Sequence, residues 1–180
     1  MIYNILKACV TVAAKKDIRF YLNAVHIRKN HDGKLVIEAS DGHMGLMVTC
    51  HNVSGFDIAA ENILIDRKSV ENALKVFKPI NSVTDNTIET FGFTPVDGRF
   101  PDLERALRIY DEPKQDPEVG VNVNLMERLM KAVGILLKGQ KYPCTSMRPR
   151  GANYPVLFEG GNDNFTFVAG IMPVRMQNND

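Results

Sequence analysis

Three features of the 180-residue sequence predict an α+β fold built from repeated β-α-β-β units. Helical patterns alternate with clusters of extended runs. The helical segments share a local motif, ILKA at 5–8, ALKV at 73–76 and LMKA at 129–132. A longer match links IDRKSVENALKV at 65–76 to VNVNLMERLMKA at 121–132, alike in residue type at most positions with a constant offset of 56. Each motif places a lysine, Lys7, Lys75 or Lys131, directly after two apolar residues. The offset is about the length of one strand, helix and strand cluster, so the chain divides into three units. The first two form one complete domain and the third stands alone.

Each element has its own warrant. Ile2, Ile5, Leu6, Cys9 and Ala13 recur at helical spacing while Lys7, Thr11 and Lys15 share another face, which predicts an amphipathic helix over 3–15, the first helix of the mature fold. AVHIRKN and KLVIEAS flank the turn residues His31, Asp32 and Gly33, and HMGLMVTCH is a third extended run. ENILID reads as a short strand feeding a helix over 68–77, with Val70, Ala73, Leu74 and Phe77 on its apolar face and Pro79 stopping it. SVTDNTIETFGF is extended, and VDGRFPD is turn-rich. DEPKQDPE at 111–118 combines two prolines with five charges and reads as a linker between a domain at 1–110 and a half-domain at 119–180. Beyond it come VGVNV as a strand, Asn124 as N-cap with Glu127 three residues on, and a helix burying Leu125, Leu129, Val133 and Leu136. YPCTSMR, YPVLFEG and NFTFVAGIMPVRM supply the closing strands.

Composition narrows the function classes. The chain is 44% hydrophobic and 24% charged, with net charge +1. A chain of this size buries roughly 70% of its unfolded surface without needing metal or disulfide staples. Near-neutral charge excludes a general polycation, so nucleic-acid contact requires a local basic surface. Cys9, Cys50 and Cys144 are too widely spaced for a disulfide framework or a zinc set and predict reduced thiols in a cytoplasm. No run approaches the ~20 apolar residues of a membrane span. If equivalent helices present their lysines on one surface, Lys7, Lys15, Lys75, Lys78, Arg128, Lys131 and Lys138 form a basic stripe suited to a phosphate backbone. The competing explanation for Lys75 and Lys131 is ordinary i,i+4 pairing with Glu71 and Glu127.

Catalysis and metal binding find little support. Asp41, Gly42 and His43 with Asp97 or Glu38 and a Cys50 nucleophile would make a catalytic set. Asp-Gly-His is ordinary turn chemistry, however, and Cys50 lies in an apolar run. His43, Cys50 and His51 lack the spacing of a structural zinc site, and there is no Gly-rich phosphate loop. Neither enzymatic activity nor a cofactor is expected.

Two segments, DIRFYLNAVHIRKNHDGKLVIEASDGHMGLMV at 17–48 and VDGRFPDLERAL at 96–107, resemble the middle domain of the bacterial sliding clamp family, the DNA polymerase III beta subunit. The ending YPVLFEGGNDNFTFVAGIMPVRM is similar to the family's C-terminus. The resemblance covers 1–110 as a full domain and 119–176 as the second half of the last one. It implies a clamp fold of repeated β-α-β-β-β units, about one and a half domains, with helices facing a pore sized for double-stranded DNA and sheets outside.

The resemblance also implies two surfaces. One is a pocket for short peptides of DNA polymerase and other client proteins, matched here by Leu22, Ser40, Gly42, His43, Pro101, Arg105, Met172, Pro173, Val174 and Arg175. Their chemistry fits, with an apolar floor containing an adaptable Met and rim donors in His43 and Arg105. The other is a DNA-contacting loop holding Arg19, Phe20 and Tyr21, which adds to Lys7, Lys15, Lys75 and Lys131. Met44 replaces the family's usual Arg, with a register shift at Gly45 or Leu46, and Leu103 replaces a usual aromatic; these changes point to a different peptide preference. Residues 80–95 are short by about one strand, and the first domain and half of the last are absent. A bare apolar face and sheet edge on the third unit are therefore expected to drive homo-oligomerisation, the unit pairing with its copy across a two-fold axis. Two functions compete: a processivity factor that tethers polymerase to DNA, and a reduced clamp of phage or plasmid type that binds clamp-interacting peptides as an adaptor or decoy without encircling DNA.

Overall fold

In a computed structural model that describes residues 1–51, 62–76, 93–109, 111 and 119–174, one antiparallel sheet carries the architecture. Its seven strands are β1 (Ala24–Lys29), β2 (Leu35–Ser40), β3 (Met44–Cys50), β4 (Asn62–Asp66), β5 (Ser146–Arg148), β6 (Val156–Asn162) and β7 (Phe165–Ile171), in the order β4-β1-β2-β3-β7-β6-β5. The helices are α1 (Ile2–Val12), α2 (Arg67–Val76), a short α3 (Leu103–Ala106) and α4 (Val123–Leu136).

Asparagine and aspartate build the hairpin turns. Asn30 Oδ1 accepts from the amides of Asp32 and Lys34, with Gly33 at φ 73°; Asn162 Oδ1 accepts from Asn164 and Phe165. Alternation then sorts the sheet's two faces. Ile37, Ala39, Leu46, Val48, Phe167 and Ala169 join α1 and α4 in one core. On the opposite face, Ala24 and Leu64 meet Leu22, Phe100 and Leu103 in a second, smaller cluster. Every residue of β2 is buried, because helices cover it on one side and the segment 96–107 on the other.

The third unit does not stand apart. β7 pairs with β3 from Met44↔Ile171 to Cys50↔Phe165, and α4 packs against α1. The apolar face expected to be bare is therefore covered within the chain, because Phe167, Ala169 and Ile171 fill the same core that α1 fills from the other unit, while β5 remains an exposed edge strand among the described residues.

Smaller corrections concern element ends. α1 stops at Val12, where Ala13 turns extended (φ −52°, ψ 145°), three residues before the expected end. Asn122 rather than Asn124 caps α4, accepting from the amides of Asn124 and Leu125. The expected strand at 119–123 reduces to a single bridge between Gly120 and Val174, because its last residue is already helical. Residues 82–92 of the expected extended piece at 82–93, Phe77, Lys78, Pro79, the linker after Asp111, and Arg175 lie outside the described residues.

Candidate peptide groove and basic helix face

The outer face of the sheet is made receptive by two glycines. Gly45 of β3 and Gly170 of β7 are register partners, and their missing side chains leave a shallow socket. Leu103 and Leu107 sit in it: a Cβ on Gly45 would lie 3.5 Å from Leu103 Cδ2, and one on Gly170 would lie 2.5 Å from Leu107 Cδ2. Asp102 caps α3 by accepting the Arg105 amide at 3.0 Å. A polar chain fastens the segment beneath. Arg28 joins Glu38 at 3.0 Å and Glu104 at 2.8 Å, His26 Nδ1 lies 2.7 Å from Glu38, and the His26 ring stacks on Phe100 with centroids 4.9 Å apart. Glu38 is buried; its Oε1 meets both Arg28 and His26, while Oε2 makes no hydrogen bond among the described residues.

Docked this way, the 96–109 segment borders an open groove of about 1200 Å³, whose walls include Tyr21, Phe100, Pro101, Arg105, Arg108 and Met172. A recess of about 70 Å³ adjoins it, formed by Ser40, Gly42, His43, Leu103, Leu107 and Met172 among others. Met172 lines both; its amide donates to the His43 carbonyl at 2.9 Å and the residue is 43% exposed. The structure thus brings Ser40, Gly42, His43, Pro101, Arg105 and Met172 together. Leu22 is buried beneath them against Phe100 and Leu103, a support rather than a contact surface. Pro173 and the exposed Val174 continue past the rim, where the Val174 amide donates to Gly120. Sequence reasoning passed over Phe100, Leu107 and Arg108, although all three lie within or beside the VDGRFPDLERAL motif.

The rim turn is built by Asp41. Its Oδ1 accepts from the His43 and Met44 amides at 2.8 and 2.9 Å, Gly42 takes φ 88°, and Oδ2 pairs with Arg128 of α4. Arg19 lies over Gly42, so close that a Cβ there would meet Nη2 at 2.6 Å. Its hydrogen bonds to Asp17 hold that carboxyl down at about 2, well below the usual carboxylate range. Phe20 is exposed and set edge-on to Tyr21. Arg19 therefore sits at the recess, and Tyr21 on the groove wall; neither they nor Phe20 line the helix face.

The helix face is a separate groove of about 620 Å³ across α1, α2 and α4. Lys7 of α1, Lys75 of α2 and Lys131 of α4 line it, with Lys15 just beyond the end of α1. Lys7 rests over the Tyr3 ring, and Glu71 pairs with Arg67 at 3.1 Å rather than with Lys75. Lys15, Lys75 and Lys131 make no ion pair among the described residues, so i,i+4 pairing does not account for Lys75 and Lys131. Arg128, also on this face, is held by Asp41 and by the Val12 carbonyl.

Nucleophile and metal chemistry gain nothing from the geometry. Burial pushes the Cys50 thiol up to about 12 and that of Cys9 higher still, leaving both protonated at neutral pH. Among the described residues no group of three or more His, Cys, Asp or Glu is arranged to hold a metal ion, and no helix is long and apolar enough to cross a membrane.

Comparison with solved structures gives the chain the fold of the DNA sliding clamps, here a continuous antiparallel sheet with α1, α2 and α4 on one face. The chain is similar to the DNA polymerase sliding clamp of Pseudomonas aeruginosa (TM-score 0.67, 17% identity), the DNA polymerase beta subunit of Streptococcus pyogenes (0.67, 14%) and the sliding clamp of Bartonella birtlesii bound to griselimycin (0.64, 18%). Each alignment covers 97% of this chain and 64% of the other, so the chain spans under two thirds of a clamp's length. No protein-family profile and no curated protein matches the sequence.

Proposed function

We propose that the chain is a sliding-clamp-like processivity factor: an oligomer that holds duplex DNA without sequence preference and tethers a polymerase through the groove beside α3. The observation that supports this reading is the division of labour across one sheet. Four lysines, three of them on helices, converge on one side, and an open groove with an apolar recess lies on the other. Lysines on a rigid scaffold supply diffuse attraction to phosphates, while a bound peptide raises the local concentration of its parent enzyme at the DNA. In this reading further copies of the chain complete the ring around the duplex.

The described residues that line the groove all belong to one chain, whereas encirclement calls on further copies. That contrast favours a second reading, an adaptor or decoy that captures clamp-binding peptides without encircling DNA. The discriminating experiment is retention on nicked circular DNA, with light scattering to give the oligomer number. Retention that is lost on linearising the circle supports the processivity factor. A monomer that binds peptide but no DNA at low salt rejects it in favour of the adaptor.

A further inference from the structure

We infer that the partner segment captured beside α3 is acidic, pairing an apolar anchor with neighbouring carboxylates; the inference rests on the peptide-groove reading above. Arg99, Arg105 and Arg108 are exposed along the groove and make no ion pair among the described residues. Behind them Arg150 is 3% exposed and donates to the carbonyls of Leu107 and Asp111, two neutral acceptors. Its charge is therefore not cancelled by either hydrogen bond.

Tyr154 organises this cluster. The guanidinium carbons of Arg108 and Arg150 lie 4.9 and 5.4 Å from its ring centroid, and Arg108 takes φ 49°, a backbone state that non-glycine residues rarely adopt.

Of the wall's carboxylates, Glu104 is paired with Arg28, while Asp102, which accepts the Arg105 amide, and Asp111 make no ion pair among the described residues; Arg99, Arg105, Arg108 and Arg150 outnumber these two carboxylates. Arginine forks match carboxylates in bidentate geometry, and a surface excess of one sign selects a partner of the other. Phosphates would satisfy the arginines equally well. The recess formed by Leu103, Leu107 and Met172, however, asks for an apolar side chain, which a peptide carries and a nucleic-acid strand does not.

The test uses fluorescence anisotropy of the full chain with two labelled peptides that share a Leu-Phe anchor, one flanked by Asp and Glu, the other by Asn and Gln. The acidic peptide is expected to bind about tenfold more tightly at low salt, with the advantage shrinking toward one at about 0.5 M salt. Arg99→Gln with Arg108→Gln should collapse the same ratio, while Arg108→Lys, which keeps the charge, should preserve most of it. Equal affinities for the two peptides would overturn the acidic preference and leave the peptide groove standing. Binding of neither peptide would overturn both. Competition of the acidic peptide by oligothymidylate, abolished by the same arginine substitutions, would make the groove a single-strand site and also overturn the inference.

Discussion

Asp41 shows how one side chain can serve two surfaces. Its carboxylate fixes the turn that presents Gly42 and His43 and, through its second oxygen, holds Arg128 on the helix face. Only a tenth of its side-chain surface is exposed, and Arg128 is about one third exposed. Removing the carboxylate strands two turn amides and a half-buried guanidinium, so Asp41→Ala should lower stability by about 2–4 kcal/mol in urea unfolding. Asp41→Asn keeps the acceptor for the amides while losing the charge, so it should cost less. Equal loss for the two substitutions would show that the ion pair, rather than the turn, carries the effect.

At the level of elements, the Gly45–Gly170 socket decides where the 96–109 segment lies. Gly170→Val suits an extended strand but places atoms where Leu107 now packs, 2.5 Å from its Cδ2. The substitution should cost about 1–3 kcal/mol and weaken peptide capture, while leaving duplex binding by the helix face intact. Unchanged peptide affinity would mean that the segment's position does not shape the groove.

This socket also marks where the sequence stops being legible. The three long helices and the hairpins announce themselves through local periodicity and turn residues, and the residues around the groove could be placed by resemblance. Pairing of β3 with β7 joins residues more than a hundred positions apart, and no local pattern encodes it. α3, at four residues, is too short to show a period, and the choice between Asn122 and Asn124 as cap turned on backbone angles, since both side chains are competent. Nor does any local pattern in the sequence show that Arg19 packs over Gly42 and pairs with Asp17.

For the whole molecule, the net charge of +1 does not describe the helix face, where four lysines line one groove, and it is that local charge a salt titration reads. If Lys7, Lys15, Lys75 and Lys131 engage phosphates from one face, log K for duplex binding should fall linearly with log salt, each engaged lysine adding about 0.9 to the slope. Changing all four to Ala should then reduce the slope by about 3–4 and weaken binding alike for duplexes of unrelated sequence. Lys34 and Lys141 are absent from that groove, so their replacement changes neither the slope nor the affinity by a comparable amount. Because exposed lysines contribute little to folding, the quadruple variant should unfold within about 1 kcal/mol of the parent, which separates lost binding from lost structure. A slope that survives the four substitutions would place the DNA elsewhere and remove the lysine face from the proposed mechanism.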